Sequence, residues 1–303
     1  WVVSGSEERA KSFALKHNIK YWGSNLKTAL SDSQVNAVYI SSTNEKHFSQ
    51  AMSAIAEKKH VLCEKPLALT LEDSITMVKA ASSQDLIFAT NHHLRCSGSH
   101  QKIRELIKDG SIGEVLSMRI FHAVLLPTNL HGWRTKSAAS GGGVIPDITV
   151  HNADVIRFLL DEDPLTVMGQ TTTSSLSVGV EDSAMSVWTM PSGIMVMSHE
   201  SFTHEFAGSG LEVHGTTGSI FASKVMSQKP IGNVKLITSD GEKVLPFSKH
   251  DLYTYGVSQF LGAINKQKQA AASGWDGIKS LAVALAVRES AKSGKRVNVQ
   301  YKF

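Results

Sequence analysis

His60-Val61-Leu62-Cys63-Glu64-Lys65-Pro66 is a short apolar run that ends in two charges and a proline. Its first half does not alternate apolar with polar residues, the pattern of a strand covered on both faces. Strands of that kind belong to parallel sheets, and their carboxyl ends open into a ligand crevice. Lys65 therefore stands where an ammonium can reach a substrate, with Pro66 fixing the backbone behind it. A solvated lysine at a strand end is the plain alternative, and the Glu-Lys-Pro context argues against it.

On either side of this run the same pattern repeats. Ala37-Val38-Tyr39-Ile40 and Leu86-Ile87-Phe88-Ala89 are equally short and β-rich. Between the runs, residues 45–58 carry Phe48, Met52 and Ile55 at helical spacing, and residues 71–81 follow Thr70, a helix cap with Asp73 three positions on. Strand and helix alternating at this pace predict βαβ units and a parallel sheet. Past residue 93 the rhythm changes. A helix over 100–109, stopped by Gly110, leads into the alternating stretch 115–122. Pro191-Ser192-Gly193 and Asp240-Gly241 then punctuate hairpins. Two domains are expected: a Rossmann-type α/β nucleotide-binding domain over 1–93, and an α+β substrate-binding and catalytic domain over 94–303 with a large, mainly antiparallel sheet. The site should lie in the cleft between them. Such a sheet can leave one face free to pair with a second subunit, making a homo-oligomer.

Bulk composition narrows the function classes. Apolar residues are 42% and charged residues 19% of the 303, the balance of a globular protein rather than a disordered one. The net charge of +4 comes without Lys/Arg blocks or interleaved aromatics, which disfavours nucleic acid as a partner. No apolar run reaches the ~18 residues of a membrane span. Two cysteines, Cys63 and Cys96, are too few for a disulfide scaffold, so a reducing, cytoplasmic setting is the default. The 13 histidines show no metal-ligand spacing, so no metal is expected.

Gly141-Gly142-Gly143 precedes Val144-Ile145-Pro146-Asp147 and an apolar helical run. Pro146 suits a first helical turn. Asp147, His151 and Asp154 then share one face by their spacing. Asp147 could simply favour the helix N-terminus, and His151 could be a satisfied core histidine. A carboxylate beside an imidazole is also what proton transfer near neutral pH requires.

Glu64-Lys65-Pro66, followed some 80 residues later by Asp147-x-x-x-His151 behind a glycine run, resembles the glucose–fructose oxidoreductase and inositol dehydrogenase family. Ser42-Thr43-Asn44-Glu45, Thr90-Asn91-His92-His93-Leu94-Arg95, His122-Ala123-Val124, Gly132-Trp133-Arg134 and Val213-His214-Gly215-Thr216 narrow it to the branch that reduces 1,5-anhydro-D-fructose. The resemblance implies NADPH-dependent reduction of a cyclic keto-sugar to 1,5-anhydro-D-mannitol. Lys65 would bond the carbonyl oxygen, His151 would protonate the alkoxide, and Asp147 would hold the imidazole and favour its charged form. Implied cofactor contacts are Ser4, Arg9, Ser42, Thr43, Asn44, His47, Glu64, Lys65, Asn91, Trp133, Arg134 and Tyr253. Candidate sugar contacts are His122, Leu126, His131 and Trp133, with Asp147 and His151.

NADP(H) over NAD has its own argument. An NAD enzyme ends its second strand with an acid for the ribose hydroxyl. Here Ser4-Gly5-Ser6 with Arg9 one turn on offers a hydroxyl and a guanidinium, suited to a 2′-phosphate. Glu7 and Glu8 oppose this, although acids are favoured in a first helical turn anyway. Trp1-Val2-Val3-Ser4 reads as a strand end. A strand, a Gly-rich turn and a helix of about 30 residues are expected before it, and without them the 303 residues should hold NADPH weakly. Three readings compete with the leading one. They are a dehydrogenase of another sugar or cyclic polyol, a glycoside hydrolase using bound NAD, and a non-catalytic nucleotide sensor.

Overall fold

The computed structural model describes residues 1–301. The first domain begins with β1 (Val2–Val3), α1 (Glu7–Lys16), β2 (Trp22–Gly23) and α2 (Leu26–Leu30). It continues with β3 (Ala37–Ile40), α3 (His47–Ala56), β4 (His60–Cys63), α4 (Leu71–Ser82) and β5 (Phe88–Thr90). Pairing is parallel throughout, in a two-stranded sheet β1-β2 and a three-stranded sheet β3-β4-β5. Thr70 caps α4 by accepting from the Asp73 amide at 3.1 Å. Val61 and Cys63 are fully buried, with Ile55, Met77 and Val78 from α3 and α4 in the same core. The doubly covered strand read from the sequence is thereby accounted for.

The second domain opens with α5 (Gly98–Lys108), β6 (Val115–Leu125), α6 (Trp133–Lys136) and α7 (Val150–Leu160). Seven strands follow: β7 (Thr166–Thr172), β8 (Ser183–Thr189), β9 (Met195–Ser201), β10 (Thr203–Gly215), β11 (Gly218–Ser223), β12 (Asn233–Thr238) and β13 (Gly241–Leu245). Helices α8 (Leu252–Ile264) and α9 (Gly274–Ser293) and strand β14 (Val297–Asn298) close the chain. The nine strands form one sheet in the order β13-β12-β11-β10-β6-β9-β8-β7-β14. Both hairpins form where expected, and every pairing is antiparallel except β6 with β9. Met118, Ile120, Trp188 and Val196 point to the covered face, where Ala153 and Ile156 of α7 and Val283 of α9 meet them in one core. The opposite face leaves Met168, Met185, Val187, Met195 and Met197 about half exposed.

Helix α9 joins the two domains. Ala89 bridges to Ser273, and the Thr90 amide donates to the Ala272 carbonyl at 3.1 Å. A Cβ on Gly277 would run into Thr90 Oγ1 and Leu67, so only glycine lets α9 lie this close to β5. The cleft above the carboxyl ends of β4 and β5 thus has a fixed wall.

Candidate active site

Lys65 follows β4 by two residues, and the Lys65–Pro66 peptide is cis. Its Nζ donates to the Asp147 carbonyl at 2.7 Å and to Asp147 Oδ1 at 2.9 Å. Asp147 comes from a π-turn, Ile145–Thr149, at the entrance to α7. A wide turn of that kind shifts side chains off the ordinary helical register and is common at functional sites. Here it aims the carboxylate across the cleft at the lysine. Burial alone would raise the Asp147 carboxyl, but Lys65 and Arg134 outweigh it and hold it below its usual range. Arg134 Nε lies 3.7 Å from Asp147 Oδ2, and its guanidinium covers the Trp133 ring at 4.5 Å.

The lysine is faced by imidazoles. His93 meets His151 edge-on at 4.9 Å and stacks on Tyr253 at 5.1 Å. His122 projects from β6 and feels both Asp147 and Lys65. Burial first, then the charge of Lys65, drives His151 well below its usual value and His93 down to about 3. Burial likewise takes His122 down to about 4. Burial thus disfavours the charged form of all three rings. The expectation that Asp147 grips the imidazole and charges it therefore needs correcting. Asp147 holds Lys65, and the Nδ1 of His151 is buried with no hydrogen-bond partner among the described residues. The ammonium at the site belongs to the lysine alone.

The remaining expected residues fall into two groups. Around the strand ends, Glu64 accepts from Asn91 Nδ2 at 2.7 Å and from the Tyr39 hydroxyl, and Tyr253 closes over His93. Tyr39 was not anticipated; its position near the carboxyl end of a short parallel strand was the available signal. Ser4 follows β1 directly, and Arg9 lies in the first turn of α1. Ser6 caps α1, and the Arg9 Nη2 reaches within 3.6 Å of where a Cβ on Gly5 would stand. Ser42 Oγ donates to Gln50 Oε1 at 2.8 Å, and Thr43 Oγ1 donates to Glu45 at 2.7 Å.

Two residues expected to touch cofactor instead brace the backbone. His47 is fully buried, its ring nitrogens 2.8 Å from the Pro66 carbonyl and 3.2 Å from that of Ser42. Asn44 donates to the Gly141 carbonyl at 3.0 Å. Together they tie the Ser42 turn to Lys65-Pro66 and to the glycine run. Among the sugar candidates, His131 lies 3.0 Å from the Leu126 carbonyl, and Leu126 itself is buried. The pair His92-His93 lies at the start of a short 3-10 turn, His93–Cys96, with both rings buried. Asp154, the third member of the polar stripe, points away from the cleft. It takes a bidentate grip from Arg95 at 2.7 and 2.8 Å, with Ser280 at 3.2 Å. Among the described residues no group of His, Cys, Asp and Glu is arranged to hold a metal.

Residues 1–92 match the model of the oxidoreductase family with an NAD-binding Rossmann fold, and residues 100–221 that of the GFO/IDH/MocA C-terminal domain. The chain belongs to the GFO/IDH/MocA oxidoreductase family. It is 42% identical over 300 residues to a 1,5-anhydro-D-fructose reductase of Ensifer adhaerens, covering 99% of this chain and 90% of that one. A myo-inositol 2-dehydrogenase of Thermotoga maritima is 26% identical, with 89% and 82% covered. A levoglucosan dehydrogenase solved with NADH and levoglucosan superposes with a TM-score of 0.89 at 21% identity, covering 99% of this chain and 90% of that one. At that identity the likeness is one of fold. As a GFO/IDH/MocA oxidoreductase the chain takes a nicotinamide cofactor, and the residues present suit one. Glu64 and Asn91 offer acceptor and donor at the carboxyl ends of the strands. Arg9 has no ion-pair partner among the described residues, a cation free for a phosphate.

Proposed function

We propose that this protein reduces a cyclic keto-sugar with NADPH, most specifically 1,5-anhydro-D-fructose to 1,5-anhydro-D-mannitol. The observation that carries the reading is the Lys65 ammonium, anchored on Asp147 from the other domain and facing a set of neutral imidazoles. A substrate carbonyl set beside Lys65 Nζ receives a hydrogen bond that strengthens as negative charge develops on its oxygen. NADPH, when bound, supplies the hydride to the carbonyl carbon. Lys65 then gives its proton to the alkoxide, Asp147 keeps the lysine in place, and solvent restores the proton. His151, whose charged form burial disfavours, serves as a hydrogen-bond donor to the same oxygen, and in the reverse direction a deprotonated Lys65 takes the hydroxyl proton back. This replaces the expected donor, His151, with Lys65. Arg134, stacked on Trp133, stands beside Asp147 at the same cleft.

Ser4 and Arg9 favour NADPH over NADH, since a guanidinium without an internal partner pairs well with the 2′-phosphate. The half-exposed methionines and Val187 on the open sheet face support a homo-oligomer in which a second copy covers that face. Free, buried Cys63 and Cys96 fit a cytoplasmic setting. The test follows consumption of NADPH and NADH by the purified protein over a panel of cyclic keto-sugars and polyols, with products identified by NMR. The reading expects fastest turnover of 1,5-anhydro-D-fructose with NADPH and a single mannitol-configured product. No nucleotide consumption with any keto-sugar would overturn it, as would glycoside cleavage without net consumption.

A further inference from the structure

We infer that His93 is a sugar-binding residue of this site, its ring edge receiving a hydroxyl of the substrate next to the carbonyl held by Lys65. The inference rests on the keto-sugar reading above and adds a residue to it. His93 opens the 3-10 turn that follows β5, so it enters the cleft from the nucleotide-binding side. Its ring is fixed on both flanks, stacked on Tyr253 at 5.1 Å and 17° and edge-on to His151 at 4.9 Å. A ring so clamped cannot turn away, and pre-set groups bind a ligand with little ordering cost.

The orientation of the ring points the same way. Its Nδ1 is buried and has no hydrogen-bond partner among the described residues, which leaves Nε2 as the nitrogen open to a ligand. The same is true of His122 and His151, each of which has only its Nδ1 sealed. Orphaned buried N–H groups are rarer than orphaned acceptors, so the single proton of each neutral ring belongs on Nε2. Three imidazoles thereby offer N–H donors beside one ammonium, a set matched to the oxygens of a polyol and lacking the free lone pairs a metal ion needs. His151 and Lys65 serve the carbonyl oxygen; His93, one ring width from His151, is placed for the neighbouring hydroxyl.

The test compares wild type with His93→Phe and His93→Gln, using NADPH with 1,5-anhydro-D-fructose and its singly deoxygenated analogues. Phenylalanine keeps the stack on Tyr253 and loses the donor; glutamine keeps a donor at similar reach. The expected result is a KM about tenfold higher for His93→Phe, the size of one hydrogen bond, with kcat and NADPH affinity held. His93→Gln should stay within about threefold of wild type by the same measure. One deoxy analogue should lose the same factor with wild type and nothing further with His93→Phe. A loss of kcat spread evenly over all analogues would make His93 a packing residue and overturn the inference, as would an unchanged KM. If His93→Phe does not fold, the glutamine variant decides alone: KM raised more than tenfold overturns. If wild type reduces no keto-sugar, the functional reading fails. Calorimetry with 1,5-anhydro-D-mannitol then still judges His93, equal affinity in wild type and His93→Phe being the contrary result.

Discussion

Asp147 and Asp154 sit two turns apart at one end of the same helical segment, and the fold treats them in opposite ways. Asp154 is sealed: its side chain is 1% exposed and meets Arg95, Ser280, His92 and Arg157. Burial alone would lower the Arg95 guanidinium, but Asp154 and Asp276 more than reverse this and keep it charged. Asp147 is 19% exposed and shares Lys65 with the cleft. One carboxylate has every partner it needs inside the protein. The other holds a cation whose best partner arrives from outside. Polar groups satisfied internally measure stability; polar groups left short of partners mark where a ligand binds.

The sharpest way to break that contrast is to remove each acid in turn. Asp154→Ala removes the bidentate partner of a buried guanidinium and leaves it Asp276 alone, and the expected loss is about 3 kcal/mol of unfolding free energy in a urea titration. Asp147→Asn should cost no more than about 1–2 kcal/mol, because Lys65 keeps the Asp147 carbonyl and the cleft. Equal losses would show that both acids are structural. Activity should divide the other way. Lys65→Met is expected to lower kcat/KM for the keto-sugar by about 10²–10³, or roughly 3–4 kcal/mol of transition-state stabilisation. Its urea midpoint should barely move, and a parallel fall in both quantities would place Lys65 with Asp154.

Arginines show the same division. Arg95 is held by two acids within 3.0 Å, whereas Arg9 has none among the described residues. Arg9→Ala should weaken NADPH binding about 10- to 100-fold, the loss of one or two charge-assisted hydrogen bonds. NADH binding should be unchanged in a fluorescence titration. If both nucleotides weaken equally, Arg9 reads no phosphate.

Much of this was legible in the sequence, and the failures have physical causes. Strands β3, β4 and β5 were plain because each is a short unbroken apolar run, although only β4 and β5 are buried and the edge strand β3 leaves Tyr39 exposed, and both hairpins were marked by turn residues. The parallel register of β6 and β9 was not, since pairing between distant strands leaves no local pattern. Lys65, Asp147 and His151 could be named, but not their bonds. Spacing arguments assume 3.6 residues per turn, and the π-turn at Ile145–Thr149 breaks that assumption just where Asp147 chooses between imidazole and ammonium. His47 fails for another reason: a buried histidine that braces two carbonyls looks, in sequence, like one that binds a ligand.

Histidines carry the contrast to its smallest expected effect. His151 faces the cleft, whereas His100 is fully buried, with neither ring nitrogen hydrogen-bonded among the described residues. Burial lowers His100 from its ordinary 6.5 to about 4, and His92 likewise to about 4. The unfolded chain therefore takes up protons first as pH falls, and each such ring removes stability between about pH 6.5 and 4 while leaving it unaffected above. Glu200 works in the opposite sense. Burial raises it to about 7, so the folded state binds a proton the unfolded one lacks, and its contribution fades as pH rises from 4.5 to 7. Several histidines against one acid leave a net decline on acidification. His100→Leu removes one titrating ring without orphaning a partner, so unfolding free energy at neutral pH should change little. Between pH 6.5 and 4 its slope should flatten by up to about 1.4 kcal/mol per pH unit. An unchanged slope would mean that His100 is reached by water or protons in the folded state, and that sealed and cleft-facing imidazoles are not distinct populations in this protein.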